Sequence, residues 1–131
     1  MNVSDILNKK NIKEVLSISP QTPLIDAAAK LTEFNVGLLV VTDNDKILGV
    51  ISERDFVRRV IVSQLNIEET PVEKVMTKNV ITTYLNESVS DALKKFFEKN
   101  CRHLPVLDES EKLVGMLTER DIINYLLSRL K

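Results

Sequence analysis

The sequence predicts a mixed α/β (α+β) fold made of two β-α-β-β-α repeats, packed sheet to sheet with approximate internal two-fold symmetry. The first observation is an internal duplication, because residues 15–43 of the 131-residue chain match residues 80–108 at a displacement of 65 positions. Residues 46–55 then match residues 112–121 at a displacement of 66. The second observation is that each copy carries one apolar stripe at helical spacing between short β-type segments, which indicates alternating helix and strand.

Each copy begins with a short extended segment and a helix. The extended segments are rich in β-branched residues, at Val15–Ser19 and Val80–Tyr84, as strands usually are. Pro23 and Ser88 mark the helix starts, because proline suits a first turn and serine caps one. The apolar positions that follow share one helical face: Leu24, Ala27, Ala28, Leu31 and Phe34 in the first copy, and Val89, Ala92, Leu93, Phe96 and Phe97 in the second.

Two strands joined by a polar turn, and then a second helix, complete each copy. The strands are short apolar runs, and the turns between them are rich in Asp, Asn and Ser. The expected strands are residues 38–41 and 47–51 in the first copy and residues 104–107 and 113–117 in the second. Ser52 and Thr118 begin the last helices, which we expect to run to about Asn66 and Leu130.

The duplication divides the chain into residues 1–66, the first copy with an N-terminal lead-in, and residues 67–131, the second copy with a linker. The phrase Val3–Leu7 resembles Val72–Met76 in the linker, so each copy has a similar segment before it. A unit of about 60 residues buries too little surface to be stable alone. We therefore expect the two copies to form one joint folding unit.

Composition excludes several classes of protein. The chain has 18 basic and 19 acidic residues and a net charge of −1, which makes nucleic acid an unlikely partner. The longest apolar stretch, Val36–Val41, is far shorter than the roughly 18 residues of a membrane span, and no secretory signal is recognisable. We expect a cytoplasmic location. Cys101 is the one cysteine, so we expect it to pack in the core, with no disulfide and no metal site.

Four phrases of the sequence resemble a tandem pair of CBS domains, the regulatory module named after cystathionine beta-synthase. These phrases are Lys46–Asp55 and Lys112–Asp121, together with Arg102–Asp108 and the lead-in Val75–Thr82. The resemblance implies a non-catalytic regulatory module that binds an adenosine-containing nucleotide of the AMP, ADP or ATP class in clefts between the repeats. It also implies a homodimer, a conformational signal to a partner protein, and no cofactor apart from the nucleotide as regulatory ligand.

The pattern Gly-x-(Val/Ile/Leu)-(Ser/Thr)-x-x-Asp occurs once in each copy. In proteins similar to this one the aspartate accepts hydrogen bonds from the ribose hydroxyls, and the hydroxyl residue lies near ribose or phosphate. A helix N-terminus with an adjacent arginine also suits a phosphate. The residues implied are Ser52, Arg54 and Asp55 in the first copy and Thr118, Arg120 and Asp121 in the second.

The same pattern has a purely structural interpretation. Ser-x-x-Asp and Thr-x-x-Asp are close to the capping box, in which the hydroxyl caps a helix and the acid bonds back to the cap. Capping and ligand binding are compatible for Ser52 and Thr118, but they compete for Asp55 and Asp121. The sequence leaves both interpretations open.

The two copies differ at the strand before the motif. The second copy has Arg102 and His103, followed by Pro105, where the first has an apolar segment, and the resemblance implies that a basic residue here contacts phosphate. We therefore expect the second copy to bind phosphate better, through Arg102, His103 and Arg120. The resemblance also places Thr82 near the adenine base, with Ser17 as its counterpart. Alternatively, His103, Thr82 and Ser17 are ordinary strand residues.

Two classes of function remain. With one histidine and one cysteine, no nucleophile–base set is evident, and no phosphate loop occurs, so we expect no enzyme. The first class is a nucleotide sensor acting on an unidentified protein partner. The second is a ligand-free dimerisation or scaffold module. The last helix carries apolar residues that either complete the core within the chain or meet a second chain: Ile122, Ile123, Leu126, Leu127 and Leu130.

Overall fold

The computed structural model describes residues 1–9 and 17–130, and it confirms the mixed α/β class with two three-stranded sheets. In chain order the elements are α1 (Val3–Leu7), β1 (Ser17–Ile18), α2 (Leu24–Glu33), β2 (Leu38–Asp43), β3 (Lys46–Ser52), α3 (Glu53–Asp55), a π-helix (Phe56–Ile61), a 3-10 helix (Val72–Lys74), β4 (Thr83–Tyr84), α4 (Val89–Lys99), β5 (His103–Leu107), β6 (Leu113–Thr118) and α5 (Glu119–Arg129). The expected order β-α-β-β-α is present twice. Val15 and Leu16 of the first expected strand lie outside the described residues.

The chain divides into two compact units, but not at the expected boundary. Residues 17–80 form one, the first-copy unit, and residues 1–9 with 81–130 form the other, the second-copy unit. The N-terminal lead-in therefore belongs with the second copy, and residues 67–80 belong with the first, whereas a division into residues 1–66 and 67–131 was expected. That the two units fold jointly stays a prediction.

The first-copy unit is a sheet of order β1-β2-β3, with β1 parallel to β2 and β2 antiparallel to β3. A tight turn joins β2 to β3, and Asn44 and Asp45 take the left-handed backbone conformation that this turn requires, with φ of 51° and 66°. The apolar face of α2, carried by Leu24, Ala27 and Leu31, is buried against the sheet in one core. The helical stripe in the sequence therefore predicts this core correctly for Leu24, Ala27 and Leu31. It is wrong for Phe34, which is 47 % exposed, as it is for Phe97 in the second copy, which is 79 % exposed.

The second-copy unit repeats this arrangement with the order β4-β5-β6. Ser88 caps α4 as expected, because its Oγ accepts a hydrogen bond from the Asp91 N–H at 3.0 Å. Ala92 and Phe96 of α4 are buried in one core with strand residues of β5 and β6 and with Val3 and Ile6 of α1. The short N-terminal helix is thus part of this core.

The two lead-in segments are exchanged between the copies. In the second-copy unit Val3 N donates to Glu87 O at 2.9 Å, and Val89 N donates to Met1 O at 3.0 Å. The first-copy unit makes the matching pair of bonds with the linker: Val72 N donates to Thr22 O at 2.8 Å, and Leu24 N donates to Thr70 O at 2.9 Å. Each lead-in therefore accepts a hydrogen bond from an amide at the start of a helix. The N-terminal lead-in does so for the second copy, and the linker does so for the first.

The motif glycines leave room for these lead-ins. A Cβ on Gly115 would lie 2.9 Å from Cδ1 of Leu7, and a Cβ on Gly49 would lie 2.8 Å from both the Met76 sulfur and the Thr77 carbonyl oxygen. Such distances are below van der Waals contact, so a larger residue would force the Leu7 side chain to move at Gly115 and the linker backbone to shift at Gly49. The glycine of the motif is explained by this close approach.

One expected element is wrong in extent. The helix after Ser52 was expected to reach about Asn66, but its helical turns end at Ile61, and the stretch from Phe56 has π geometry. Gln64 then takes a left-handed conformation with φ of 53°. The chain then returns to the start of α2, where the carbonyl of Ile67 accepts a hydrogen bond from Ile25 N at 2.9 Å.

Candidate functional site

The first-copy motif forms a capping box at the end of β3. Ser52 is the N-cap of α3, and its Oγ accepts a hydrogen bond from Asp55 N at 3.2 Å. In return Oδ2 of Asp55 accepts from the Ser52 N–H at 2.9 Å and from the Ser52 hydroxyl at 3.1 Å. The capping interpretation is therefore confirmed for Ser52 and Asp55.

The other carboxylate oxygen of Asp55 is engaged as well. Oδ1 accepts a hydrogen bond from the Thr77 hydroxyl at 3.2 Å and lies 3.8 Å from Nε of Arg59. Arg59 also donates from Nη1 to the Val75 carbonyl at 2.9 Å. With 8 % of its surface exposed, Asp55 is buried, and a buried carboxylate needs partners of this kind.

The second-copy motif has the same capping geometry on a longer helix. Thr118 is the N-cap of α5, its Oγ1 accepts from Asp121 N at 3.0 Å, and its own N–H donates to Oδ2 of Asp121 at 2.9 Å. Asp121 is half-buried, more exposed than Asp55. Since α5 has 11 residues of regular α-helix, its N-terminus concentrates positive potential beside Thr118.

Arg102 and His103 lie beside this helix start. His103 is the residue of β5 directly opposite Thr118 of β6, and it is half-buried. The carbonyl of Arg102 accepts a hydrogen bond from the first amide of α5, Glu119 N, at 3.0 Å, and the Arg102 and Arg120 side chains are exposed. The residues expected to contact phosphate thus lie at one end of the sheet, where β5 begins and β6 ends.

Thr82 and Pro105 lie one step further along the same sheet. Thr83 pairs with Val106 in parallel register, so Thr82 precedes β4 at the level of Pro105, and Pro105 is itself opposite Met116. Two residues along a strand return to the same face after roughly 7 Å. Pro105 and His103 therefore share a face of β5, and Thr82 flanks it.

The backbone at Thr82 is held by residues that the sequence analysis missed. Lys95 of α4 donates from Nζ to the Thr82 carbonyl at 2.8 Å and to Oε1 of Glu87 at 2.9 Å. The hydroxyl of the fully buried Thr83 also donates to Glu87. Lys95 and Glu87 are eight positions apart, so no local pattern could have identified this pair.

The first copy places its counterparts at matching positions. Ser17 pairs with Val40 and is exposed, while Ser52 lies opposite Leu38. Arg54 is exposed on the first turn of α3. The chemical difference is that apolar Leu38 occupies the place of His103, so fewer groups that attract phosphate lie at this end of the sheet.

An open cavity in the second-copy unit lies away from the motif. It has a volume of about 620 Å³ and is lined by Tyr84, Leu85, Asn86, Leu107, Asp108, Glu109 and Ser110. None of the predicted site residues lines it. The hydrogen bond from the Tyr84 hydroxyl to Glu111, together with the negative charge of Glu111, raises the pKa of Tyr84.

Other predicted features concern metals, membranes and the cysteine. Within residues 1–9 and 17–130, no three His, Cys, Asp or Glu side chains are grouped so that they could hold a metal ion. In the same part of the chain, no helix combines the length and the apolar character that crossing a bilayer requires. Cys101 packs against the core of the second-copy unit, as expected.

The family model of the CBS domain matches residues 3–62 and 72–128. Among curated proteins, MK0525 of Methanopyrus kandleri is 32 % identical over 112 residues, which cover 85 % of this chain and 57 % of that protein. A CBS domain-containing protein of Arabidopsis thaliana is 37 % identical over 99 residues, covering 75 % of this chain and 18 % of its own length. The chain thus spans less than two thirds of these relatives.

Solved structures with CBS domains share the whole fold. A protein with CBS domains from Burkholderia ambifaria is 28 % identical, with a TM-score of 0.92 over 100 % of this chain and 97 % of its own. The CBS domain pair of MJ0100, in complex with 5-methylthioadenosine and S-adenosyl-L-methionine, is 27 % identical with a TM-score of 0.83, covering 99 % and 98 %. PAE2072 of Pyrobaculum aerophilum, complexed with AMP, is 25 % identical with a TM-score of 0.82, covering 99 % and 100 %.

Proposed function

The chain belongs to the CBS domain family, and on this basis we propose that it is a non-catalytic regulatory module that binds an adenosine-containing nucleotide. The observation that carries the proposal is the second-copy motif. There a regular helix begins at Thr118 beside Asp121, with His103 on the neighbouring strand. Two similar structures, MJ0100 and PAE2072, hold adenosine compounds. Binding shifts a conformational equilibrium, and a protein partner responds to it.

The residues of the second-copy motif have separate roles in this proposal. The carboxylate of Asp121 accepts hydrogen bonds from ribose hydroxyls, and the Thr118 hydroxyl lies beside the ribose or phosphate. Arg102, His103 and Arg120 attract the phosphate, together with the N-terminus of α5. Thr82 and Pro105 flank the adenine. In the first copy, Ser17, Ser52, Arg54 and Asp55 form the weaker counterpart.

The proposal also includes a homodimer in the cytoplasm. Its support is the exposed apolar side of α5, where Ile123, Leu126, Leu127 and Leu130 are 49 %, 47 %, 59 % and 72 % exposed. An apolar surface of this kind favours contact with another chain.

A ligand-free scaffold module is the second candidate function. The observation that favours it is that both motifs form complete capping boxes. Under this hypothesis Ser52, Asp55, Thr118 and Asp121 stabilise helices, and the protein acts through dimer contacts alone.

A thermal-melt screen distinguishes the two functions. The full chain is heated with AMP, ADP, ATP, S-adenosylmethionine or 5-methylthioadenosine, and with GMP and GTP as controls. At 100 times its dissociation constant a ligand adds about 2.7 kcal/mol, which raises the melting temperature by around 10 °C for a chain of this size. We expect such a shift with at least one adenosine compound.

Two exposed arginines provide the matched variants. We expect Arg120→Gln to reduce the shift, because it removes a phosphate-binding charge without disturbing the core, whereas Arg54→Gln should preserve most of it. No shift with any adenosine compound at millimolar concentration would overturn nucleotide binding and favour the scaffold. Equal losses in the two variants would contradict the preference for the second copy.

A further inference from the structure

The carboxylate of Asp55 makes contacts within the first-copy unit beyond its capping box. Both oxygens of Asp55 have partners within the first-copy unit: Ser52 on one side, and Thr77 and Arg59 on the other. Thr77 belongs to the linker, 22 positions away in sequence. The carboxylate therefore joins the motif to the linker as well as capping α3.

The linker segment at residues 75–77 is held by several contacts around this carboxylate. Thr77 and Val50 exchange two backbone hydrogen bonds, N to O, at 2.8 and 2.9 Å. Arg59 donates to the carbonyl of Val75, and Met76 packs at the close approach above Gly49. A ligand that took both Asp55 oxygens would have to displace the Thr77 hydroxyl and the Arg59 guanidinium.

The residue types that make this connection are not repeated in the second copy. At a displacement of 66, the counterpart of Arg59 is Tyr125, whose ring faces Nζ of Lys9 at 5.2 Å and Cζ of Arg129 at 5.0 Å. The lead-in position that matches Thr77 is Asn8. A tyrosine cannot form an ion pair with a carboxylate as arginine does.

We propose that Thr77 and Arg59 form a latch on Asp55, which keeps the first-copy motif from binding nucleotide while segment 75–77 is docked. Displacing this segment frees the carboxylate, so occupancy of the first-copy motif and release of the linker are coupled. The gating part of this inference rests on the proposed function, whereas the anchoring of the linker does not.

Hydrogen exchange in the full chain without ligand tests the anchoring. The readout is the exchange of the Val50 and Thr77 amides, which make the bonds between the linker and β3. Arg59→Met removes the ion pair to Asp55 and the hydrogen bond to the Val75 carbonyl, and Thr77→Val removes the hydrogen bond to Asp55. We therefore expect each variant to accelerate exchange at these two amides by about tenfold. Arg58→Met, on the same π-helix, is the control and should leave both rates unchanged. Unchanged rates in both latch variants would overturn the anchoring.

Calorimetric titration with AMP and with S-adenosylmethionine tests the gating. We expect one ligand per chain for the wild-type protein, two for the Arg59→Met/Thr77→Val double variant, and one again when Asp55→Asn is added. A double variant that still binds one ligand overturns the latch alone. A wild-type chain that already binds two, and loses one on Asp55→Asn, overturns it as well. If no form of the chain binds either compound or any other in the melt screen, the proposed function and the gating fail together.

Discussion

At the scale of single residues, each position of the repeated motif has its own physical reason. The glycine permits a lead-in to approach the strand, and the hydroxyl residue and the aspartate cap the helix that follows. The sequence predicts these residues because they recur at one displacement. It could not separate capping from ligand binding at Asp55 and Asp121, since an aspartate that bonds back to the cap through one oxygen occupies the same sequence position as one that binds a ligand.

Alanine at the two motif glycines should have unequal effects. In Gly49→Ala the new methyl group meets the Thr77 carbonyl, which is fixed by hydrogen bonds to Val50. In Gly115→Ala it meets a methyl group of Leu7, which can rotate away. We expect Gly49→Ala to lower the free energy of unfolding by about 1–3 kcal/mol, and Gly115→Ala to lower it by less.

Urea denaturation of both variants measures this difference. The matched positions in the two copies serve as each other's control. Equal losses of stability would show that contact with the fixed Thr77 carbonyl is not what destabilises Gly49→Ala.

The thiol of Cys101 should be slow to react. Burial raises the pKa of this thiol, and the charge of Glu119 acts in the same direction. The protonated form is therefore favoured by the fold. This pKa difference between the folded and the unfolded chain contributes to the free energy of unfolding. The contribution is fully present below the pKa of the unfolded thiol and is lost as the pH rises through the higher pKa of the folded thiol.

Alkylation by iodoacetamide checks this expectation. We expect the folded chain to react several times more slowly at pH 8.5 than the chain in urea, because the thiolate is the nucleophile. Equal rates in the two states would contradict the protection of Cys101.

At the scale of elements, hydrophobic periodicity predicts most of the structure. The positions of α2 and α4, and the hairpins that follow them, agree with the apolar patterns because burial of one face determines each element. The exchange of lead-ins could not be predicted, since the likeness of Val3–Leu7 to Val72–Met76 indicates equivalent roles but not which copy each segment packs against. The π-helix after Asp55 also leaves no periodic signal.

Truncation of a buried lead-in residue should weaken one unit selectively. Ile6 is 3 % exposed in the core of the second-copy unit. We expect Ile6→Ala to cost about 2–5 kcal/mol and to accelerate hydrogen exchange first in β5 and β6. Val75→Ala, at the linker position that matches Ile6, should act first on β2 and β3.

Native-state hydrogen exchange by mass spectrometry resolves the two hairpins. If Ile6→Ala accelerated exchange in β2 and β3 before β5 and β6, the assignment of α1 to the second copy would be wrong.

At the scale of the whole molecule, the proposed dimer depends on the apolar side of α5. Leu127 is 59 % exposed there, and Phe97 of α4 is 79 % exposed. We expect Leu127→Glu to shift the chain from dimer to monomer, because a charge cannot be buried in an apolar contact without a partner. Phe97→Glu removes an apolar side chain that is more exposed than Leu127 from another helix, and it should leave the dimer intact.

Sedimentation velocity over a range of concentrations measures the association. A wild-type chain that stays monomeric at high concentration would remove the dimer from the proposal. Loss of the dimer in Phe97→Glu alone would move its interface from α5 to α4.

The exchanged lead-ins also have a consequence for synthesis on the ribosome. Leu7 of the N-terminal lead-in packs against Gly115, which is made 108 residues later. At roughly 5 to 20 residues per second, Leu7 waits about 5 to 20 s for its partner. The linker lead-in follows Gly49 by only 27 residues at Met76. The first-copy unit can therefore be completed before the second-copy unit, whereas the N-terminal lead-in waits until most of the second copy has been synthesised.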